Sequence, residues 1–328
     1  SAGSGVVVNA GGHGYFRVAY DAALRARVLG ELDGLTVIDR YNLVDDAWNE
    51  VVAGRLAAID FVQFAEGFSA NRDYAVWQAI AIGLRGVGRL LEGDAYAAFQ
   101  QRVATLVRPV LADLGWQAVA GESDLQAKLR GLLVGLLAVL GNDAEAQRRC
   151  REIYQSLEAG ATVDPELVAA TTNAVAANGD DADFDAFLQK FRTAATPQEQ
   201  LRYLYALADT PLADRFDHTL ELSIDDVRAQ DSAYVLRRAL AHPRFGGRAF
   251  KFISSNWDAV MDKVPSSAAV RMLEGIRSVT DPDLAASITT FMAEHPTPSG
   301  ERVLAQHLER MQINVDAALR VRSESGAG

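Results

Sequence analysis

Five histidines, one cysteine and a surplus of carboxylates are the reactive material of this 328-residue chain. Hydrolysis at a helical zinc site needs two His four residues apart, so that both imidazoles share a helix face, with a Glu between them as base. His13, His218, His242, His295 and His307 contain no such pair, and no H-E-x-x-H run exists. His242 and His295 each precede a proline, where helices stop, so they read as helix-end residues rather than ligands. Acyl transfer on a nucleophile elbow would need G-x-S-x-G, which is absent, and nothing raises one Ser–His–Asp combination above the rest. The residue types thus name no catalytic residue and no metal ligand.

The remaining motifs resolve the same way. Asp180-Asp181-Ala182-Asp183-Phe184-Asp185 resembles a calcium loop only briefly. Counted from Asp181, Ala186 falls where the loop needs Gly and Arg192 where it needs the bidentate Glu. Acidic residues opening a helix are the better reading. Gly11-Gly12-His13-Gly14 lies between two strand-like runs, whereas a phosphate cradle joins a strand to a helix. Cys150 has basic neighbours in Arg148-Arg149-Cys150-Arg151 that would lower a thiol pKa if they faced it, but an incidental helix cysteine is expected. Trp48, Trp77, Trp116 and Trp257 sit in helical apolar patterns and predict core packing. Arginines remain: Arg237, Arg238, Arg244, Arg248 and Arg271 gather in the C-terminal part of an acidic chain, and one or two on a concave surface would suit a peptide carboxylate.

Such a surface needs elements to carry it. With 32 basic against 43 acidic residues the net charge is −11, which excludes nucleic-acid and anionic-membrane partners. The composition, 49% hydrophobic and 23% charged, supports a sizeable core. The longest apolar run, residues 131–141, is too short to span a bilayer. The opening Ser1–Gly5 is small and flexible in character, without a signal peptide's basic and apolar blocks, and reads as a cut made inside a longer protein. With a single cysteine as well, a cytoplasmic setting is expected.

Residues 6–9 and 15–20 are β-favouring around a glycine turn and predict a short β-hairpin, too small to be stable alone and so expected to belong to a preceding sheet. From Asp21 onward the apolar spacing is helical, with predicted helices including 21–33, 37–54, 73–92, 122–140, 181–194, 197–209, 224–229, 231–241 and 245–262. Thr196-Pro197-Gln198-Glu199 is a capping box, and Asp164-Pro165, Asp281-Pro282 and Thr297-Pro298 repeat the cap-then-proline pattern. The expected fold is all-α: antiparallel helical hairpins in an irregular HEAT- or armadillo-like superhelix, residues 21–325, after the terminal strands and linker of residues 1–20. A compact helical bundle is the alternative.

One resemblance organises these pieces. Asn9-Ala10-Gly11-Gly12-His13-Gly14-Tyr15-Phe16-Arg17-Val18-Ala19-Tyr20-Asp21 resembles the N-x-x-x-x-G-Y-Y-R-V-x-Y-D signature of zinc aminopeptidases of the aminopeptidase N and puromycin-sensitive type. Asp39-Arg40 through Asp46-Ala47, Asp73 through Val76-Trp77, Gln230-Asp231, Gly247-Arg248 through Phe252, and Asn256-Trp257 are similar to further segments of that family, in the same order. Phe250 and Lys251 depart from it where a Trp is common, and the tail near Val315 lacks the Trp that often follows.

The resemblance implies a C-terminal helical domain that encloses the substrate cavity and helps bind peptides. Zinc and the exopeptidase chemistry would sit in an upstream catalytic domain of the same polypeptide, with no cofactor in this chain. Arg271, in Val270-Arg271-Met272, resembles an Arg that meets the peptide's C-terminal part in antigen-trimming relatives. Arg237 and Arg248 complete the substrate-binding set expected here. A free-standing helical-repeat scaffold that binds a protein or peptide is the alternative function.

Overall fold

The computed structural model describes residues 5–297 and 299–325; Ser1–Ser4 of the opening stretch and Pro298 of the Thr297–Pro298 pair lie outside them. Every regular element among the described residues is helical. The chain divides into two compact units, Ser1–Ala170 with Leu319–Gly328, and Thr171–Ala318.

The first unit holds α1 (Ala22–Leu29), α2 (Val37–Val52), α3 (Ala58–Glu66), α4 (Tyr74–Leu90), α5 (Gly93–Leu114), α6 (Asp124–Gly135) and α7 (Ala144–Glu158), with α8 (Pro165–Ala177) crossing the division. Its core centres on Trp48, Phe61, Trp77, Ile80 and Leu84, with Trp48 and Phe61 meeting edge-on at 5.8 Å. Both rings press onto α4 at glycines: a Cβ on Gly83 would lie 2.1 Å from Phe61, and one on Gly86 would lie 2.2 Å from Trp48. Capping boxes start α2 (Thr36 with Asp39) and α6 (Ser123 with Gln126). The helix expected over 122–140 ends in a wider π-turn, Leu136–Leu140, closed by Gly141 N–H donating to Leu136 O. Arg130, fully buried, donates to both Glu122 carboxylate oxygens at 2.6 Å and to Gly115 O at 2.9 Å, tying down the two ends of the α5–α6 loop.

The expected β-hairpin is absent from the described residues. Asn9 is left-handed (φ 62°), Gly11 and Gly12 have φ of 76° and 70°, and Ala10–Gly12 form a 3-10 turn. Backbone donors that a partner strand would take go to carboxylates of α2 instead: Gly11 N–H donates to Asp39 at 2.6 Å and Tyr20 N–H to Glu50 at 3.1 Å. Two strands alone are marginal in water, and buried side-chain acceptors outcompete such a ladder.

The second unit contains α9 (Asp181–Thr193), α10 (Pro197–Ala208), α11 (Ala213–Asp225), α12 (Ala229–Leu240), α13 (Gly246–Ser255), α14 (Trp257–Lys263), α15 (Ser266–Leu273, continued by a 3-10 turn Glu274–Ser278), α16 (Pro282–Glu294) and most of α17 (Glu301–Ser325). Contact register sets the topology. Phe187 stacks on Tyr203 while Phe191 O accepts from Gln200, so α9 and α10 run antiparallel. Neighbouring helices of one row run parallel: Asp181 and Phe184 of α9 meet Arg215 and His218 of α11, and Tyr234 and Arg237 of α12 meet Arg271 and Glu274 of α15 and its 3-10 turn. Pairs across these rows lie 29 to 37 residues apart in sequence, the repeat length of a helical-hairpin array. Phe216, Leu236, Ile253, Met272, Ile288 and Met311 fill the core between the rows.

Local corrections have simple causes. The expected helix 224–229 does not form, because α11 runs on to Asp225 and Val227 N–H returns to Leu222 O in a turn. The helix expected over 245–262 breaks at Asn256 (φ −120°), whose side chain donates to Phe252 O. At α10, Thr196 caps as expected, but Glu199 reaches back to Ala195 N–H rather than to Thr196.

Candidate functional site

The parallel register of α12 and α15 brings two of the three expected arginines together. Tyr234 and Arg237 lie one turn apart on α12, and Arg271 and Glu274 one turn apart on α15 and its 3-10 extension. Arg271 Nη1 donates to the Tyr234 hydroxyl, and its guanidinium carbon stands 5.4 Å from the Tyr234 ring centroid. Arg237 approaches the same ring at 5.9 Å while its Nη1 donates to Glu274 Oε2 at 2.8 Å. Arg277 approaches Glu274 at 3.6 Å. Gly275 permits the close approach: a Cβ there would lie 2.4 Å from Arg237 O and 2.6 Å from Leu240 Cβ. One step along the row, Arg238 makes a two-armed ion pair with Asp209 and lies 5.4 Å over the Tyr205 ring.

Charge is distributed unevenly over this face. Arg237 and Arg277 share Glu274, and Arg238 has Asp209. Arg271 is exposed and, among the described residues, has an aromatic partner but no carboxylate. The hydrogen bond from Arg237 holds the Glu274 carboxyl below its ordinary range, so it stays ionised. His307, buried beneath on α17, is pushed below its ordinary value by burial and then by Arg277. Burial, then Asp231, raises the Tyr205 phenol. An exposed guanidinium steadied by a phenol and a ring face is arranged to take a carboxylate through paired N–H donors. It offers no nucleophile–base pair.

Other candidates lie elsewhere. Arg248, on α13, is held by both oxygens of Asp217 on α11, in the other row of helices. Cys150 is buried, and desolvation pushes its thiol up to about 12, so the neighbouring arginines do not activate it. Asp180 caps α9 in a box with Asp183, and Asp181 and Asp185 pair with Arg215. His295 is the C-cap of α16, stacked on Phe291; His242 stacks on Phe245 and accepts N–H groups from Arg244 and Phe245. Trp48 and Trp77 are buried, Trp257 packs edge-on against Phe291, and Trp116 lies under Arg149. Among the described residues no group of three or more His, Cys, Asp or Glu is placed to hold a metal ion, so these residues do not fit zinc.

The segments that carried the resemblance turn out to be fastenings. The Asn9 side chain brackets Gly14 through both its amide and carbonyl. Arg17 pairs with Asp45 and Asp46, and Asp21 caps α1. Arg40 pairs with Asp73, Asn71 Oδ1 accepts the Asp73 N–H, and Trp77 Nε1 donates to Asn71 O. Tyr234, Tyr205 and Glu274 were not singled out from sequence. Their only trace is the three-residue spacing of Tyr234 to Arg237 and Arg271 to Glu274, which means nothing until the two helices are set in register.

Comparison with known proteins follows the same lines. A family model described as "ERAP1-like C-terminal domain" matches residues 5–313. The chain is similar to Aminopeptidase M1-B of Oryza sativa subsp. japonica, at 27% identity over 95% of this chain and 37% of the relative. It is similar to Aminopeptidase M1 of Arabidopsis thaliana, at 27% identity over 98% of this chain and 38% of the relative. It also matches Puromycin-sensitive aminopeptidase of Caenorhabditis elegans, at 27% over 80% of this chain and 28% of the relative. The chain spans 28–38% of the length of these relatives.

Proposed function

We propose, from the premise that this chain belongs to the ERAP1-like C-terminal domain family, that it is the non-catalytic helical domain of a zinc-dependent aminopeptidase. In this reading it encloses the substrate cavity and holds the C-terminal part of the peptide, while a catalytic domain outside these residues holds zinc and removes the N-terminal amino acid. Residues 21–325 form the helical domain and residues 1–20 its link to what precedes. The proposed setting is the cytoplasm, where a single buried thiol is unexceptional.

The observation that supports peptide binding most directly is Arg271: exposed, steadied by Tyr234, and without a carboxylate partner among the described residues. Arg237 is the second arm, engaged by Glu274. Arg248 stays outside the proposed site, because it lies on α13 in the other row of helices, paired there with Asp217.

The test is binding of a fluorescent peptide bearing a free C-terminal carboxylate, against the same peptide amidated. The free acid is expected to bind the full chain more tightly by about tenfold, and Arg271→Gln to remove that preference. Equal binding of the two peptides would overturn the assignment. The chain alone is expected to hold no stoichiometric zinc and to release no amino acid from an aminoacyl anilide; hydrolysis surviving repurification would sink the non-catalytic reading.

A further inference from the structure

Glu274 is the carboxylate built in beside Arg237, Arg271 and Arg277 on the α12–α15 face. Arg237 and Arg271 approach one tyrosine ring, at 5.9 and 5.4 Å, so both guanidiniums serve a single platform. Their states differ. Arg271 is exposed and spends one donor on the Tyr234 hydroxyl. Arg237 spends its Nη1 on Glu274 at 2.8 Å. Glu274 is therefore placed on Arg237 as an incoming carboxylate would be, one helical turn beyond Arg271.

We propose that Glu274 is an internal latch, a specificity-determining carboxylate that occupies Arg237 and leaves Arg271 as the one open arm of a two-arginine carboxylate clamp. The proposal rests on the reading of this face as a peptide-carboxylate site and adds the residue that sets its stringency. With the latch in place a ligand carboxylate meets one arginine. With it removed, both arginines converge on the ligand across Tyr234.

The surroundings favour a latch over a permanent brace. The Arg237 and Glu274 side chains are 43% and 38% exposed, so their pair is solvent-screened and weak enough to yield to a ligand. A pair whose arginine is fully buried, such as Arg130–Glu122, would not yield. Glu274 sits at the C-terminal end of α15, where the helix dipole disfavours an anion. Its charge is supported there by Arg237 and Arg277, with His307 facing it from α17. Released from Glu274, Arg237 keeps its place over Tyr234, whereas Glu274 keeps Arg277. The exchange therefore leaves no charge stranded.

The experiment uses the full chain and the labelled peptide pair, free acid and amide, with thermal melts to confirm that each variant is folded. Glu274→Gln is expected to tighten the free acid by about three- to tenfold and to leave the amide unchanged. The double variant R237Q/E274Q is expected to lose that gain, and E274D, which keeps the charge on a shorter stem, to fall between wild type and E274Q. If the acid-over-amide preference depends on Arg271 but E274Q does not raise it, the latch is wrong and the peptide site stands. If E274Q tightens acid and amide equally, the latch is likewise overturned, since relief of net negative charge then explains the gain. If no variant distinguishes acid from amide, the site and the latch fall together.

Discussion

The two rows of helices in the second unit use the same residue type to opposite ends. Along α9, α11 and α13, two arginines are closed by carboxylates of the preceding helix in the row: Arg215 by Asp181 and Asp185, and Arg248 by Asp217. Along α10, α12 and α15, the preceding helix presents tyrosines as well. Arg238 lies over Tyr205, and Arg237 and Arg271 both approach Tyr234. A row closed by Asp is an adhesive whose exposed pairs are solvent-screened and individually weak. A row closed partly by Tyr orients its cations, and among the described residues Arg271 has an aromatic partner and no carboxylate. What the neighbouring helix of the row presents decides whether an arginine is neutralised or only oriented.

The harshest way to break the comparison is to force the tyrosine row apart. Gly275→Ala would set a Cβ 2.4 Å from Arg237 O and 2.6 Å from Leu240 Cβ, neither of which is a mobile chain end. A loss of about 2–3 kcal/mol in urea unfolding is expected from such overpacking, together with loss of the acid-over-amide peptide preference. An unchanged midpoint would show that α12 and the α15 turn have slack.

Arg238→Met tests whether the partly closed end of the same row is structural. Asp209, whose side chain is mostly buried, would keep only the Asn173 amide. We expect about 1–2 kcal/mol of destabilisation, reduced from the buried limit because Arg238 is partly exposed. Melting temperatures of R238M and of the double variant R238M/D209N, compared with wild type, would separate the lost pair from a stranded carboxylate.

Acid sharpens the contrast further. His307 has its folded pKa below the ordinary 6.5, so the unfolded chain takes up that proton first and stability falls as pH drops below 6.5 toward the folded value. Glu274 has its folded pKa below 4.5; its contribution is present above 4.5 and is lost as pH falls through the folded value. Stability of wild type against His307→Gln, followed from neutral pH downward, should diverge below 6.5 in favour of the variant. Parallel curves would remove His307 from the account. The mildest change is Arg248→Gln in the Asp-closed row: a small loss of stability that vanishes near 1 M salt, where the screening length is about 3 Å. A loss that persists at about 1 M salt would mean that this row is more than surface adhesive.

Much of the scaffold was legible because local chemistry specifies it. Thr196 and Asp281 cap α10 and α16 where their spacing places them, and Asp180 opens α9, since a capping oxygen and the backbone N–H that donates to it lie three residues apart. The apolar run of residues 131–141 is buried as its composition requires. The hairpin expected from residues 6–9 and 15–20 does not form because α2 offers three buried acceptors, Asp39, Asp46 and Glu50, that local propensity does not see.

The sequence by itself determined that this chain is helical, acidic, without a metal-binding motif, and similar through its ordered motifs to one family of enzymes. Those properties follow from residue types and from spacings of three and four along one strand of chain. Tertiary structure alone decided which arginine is free. Arg237, Arg248 and Arg271 look alike in sequence, and their fates are set by residues about one hairpin away: Glu274 for the first, Asp217 for the second, and Tyr234 for the third. Electrostatic partnership acts over a few ångströms of space, and in an array of helices that distance is crossed only once neighbouring hairpins lock in register.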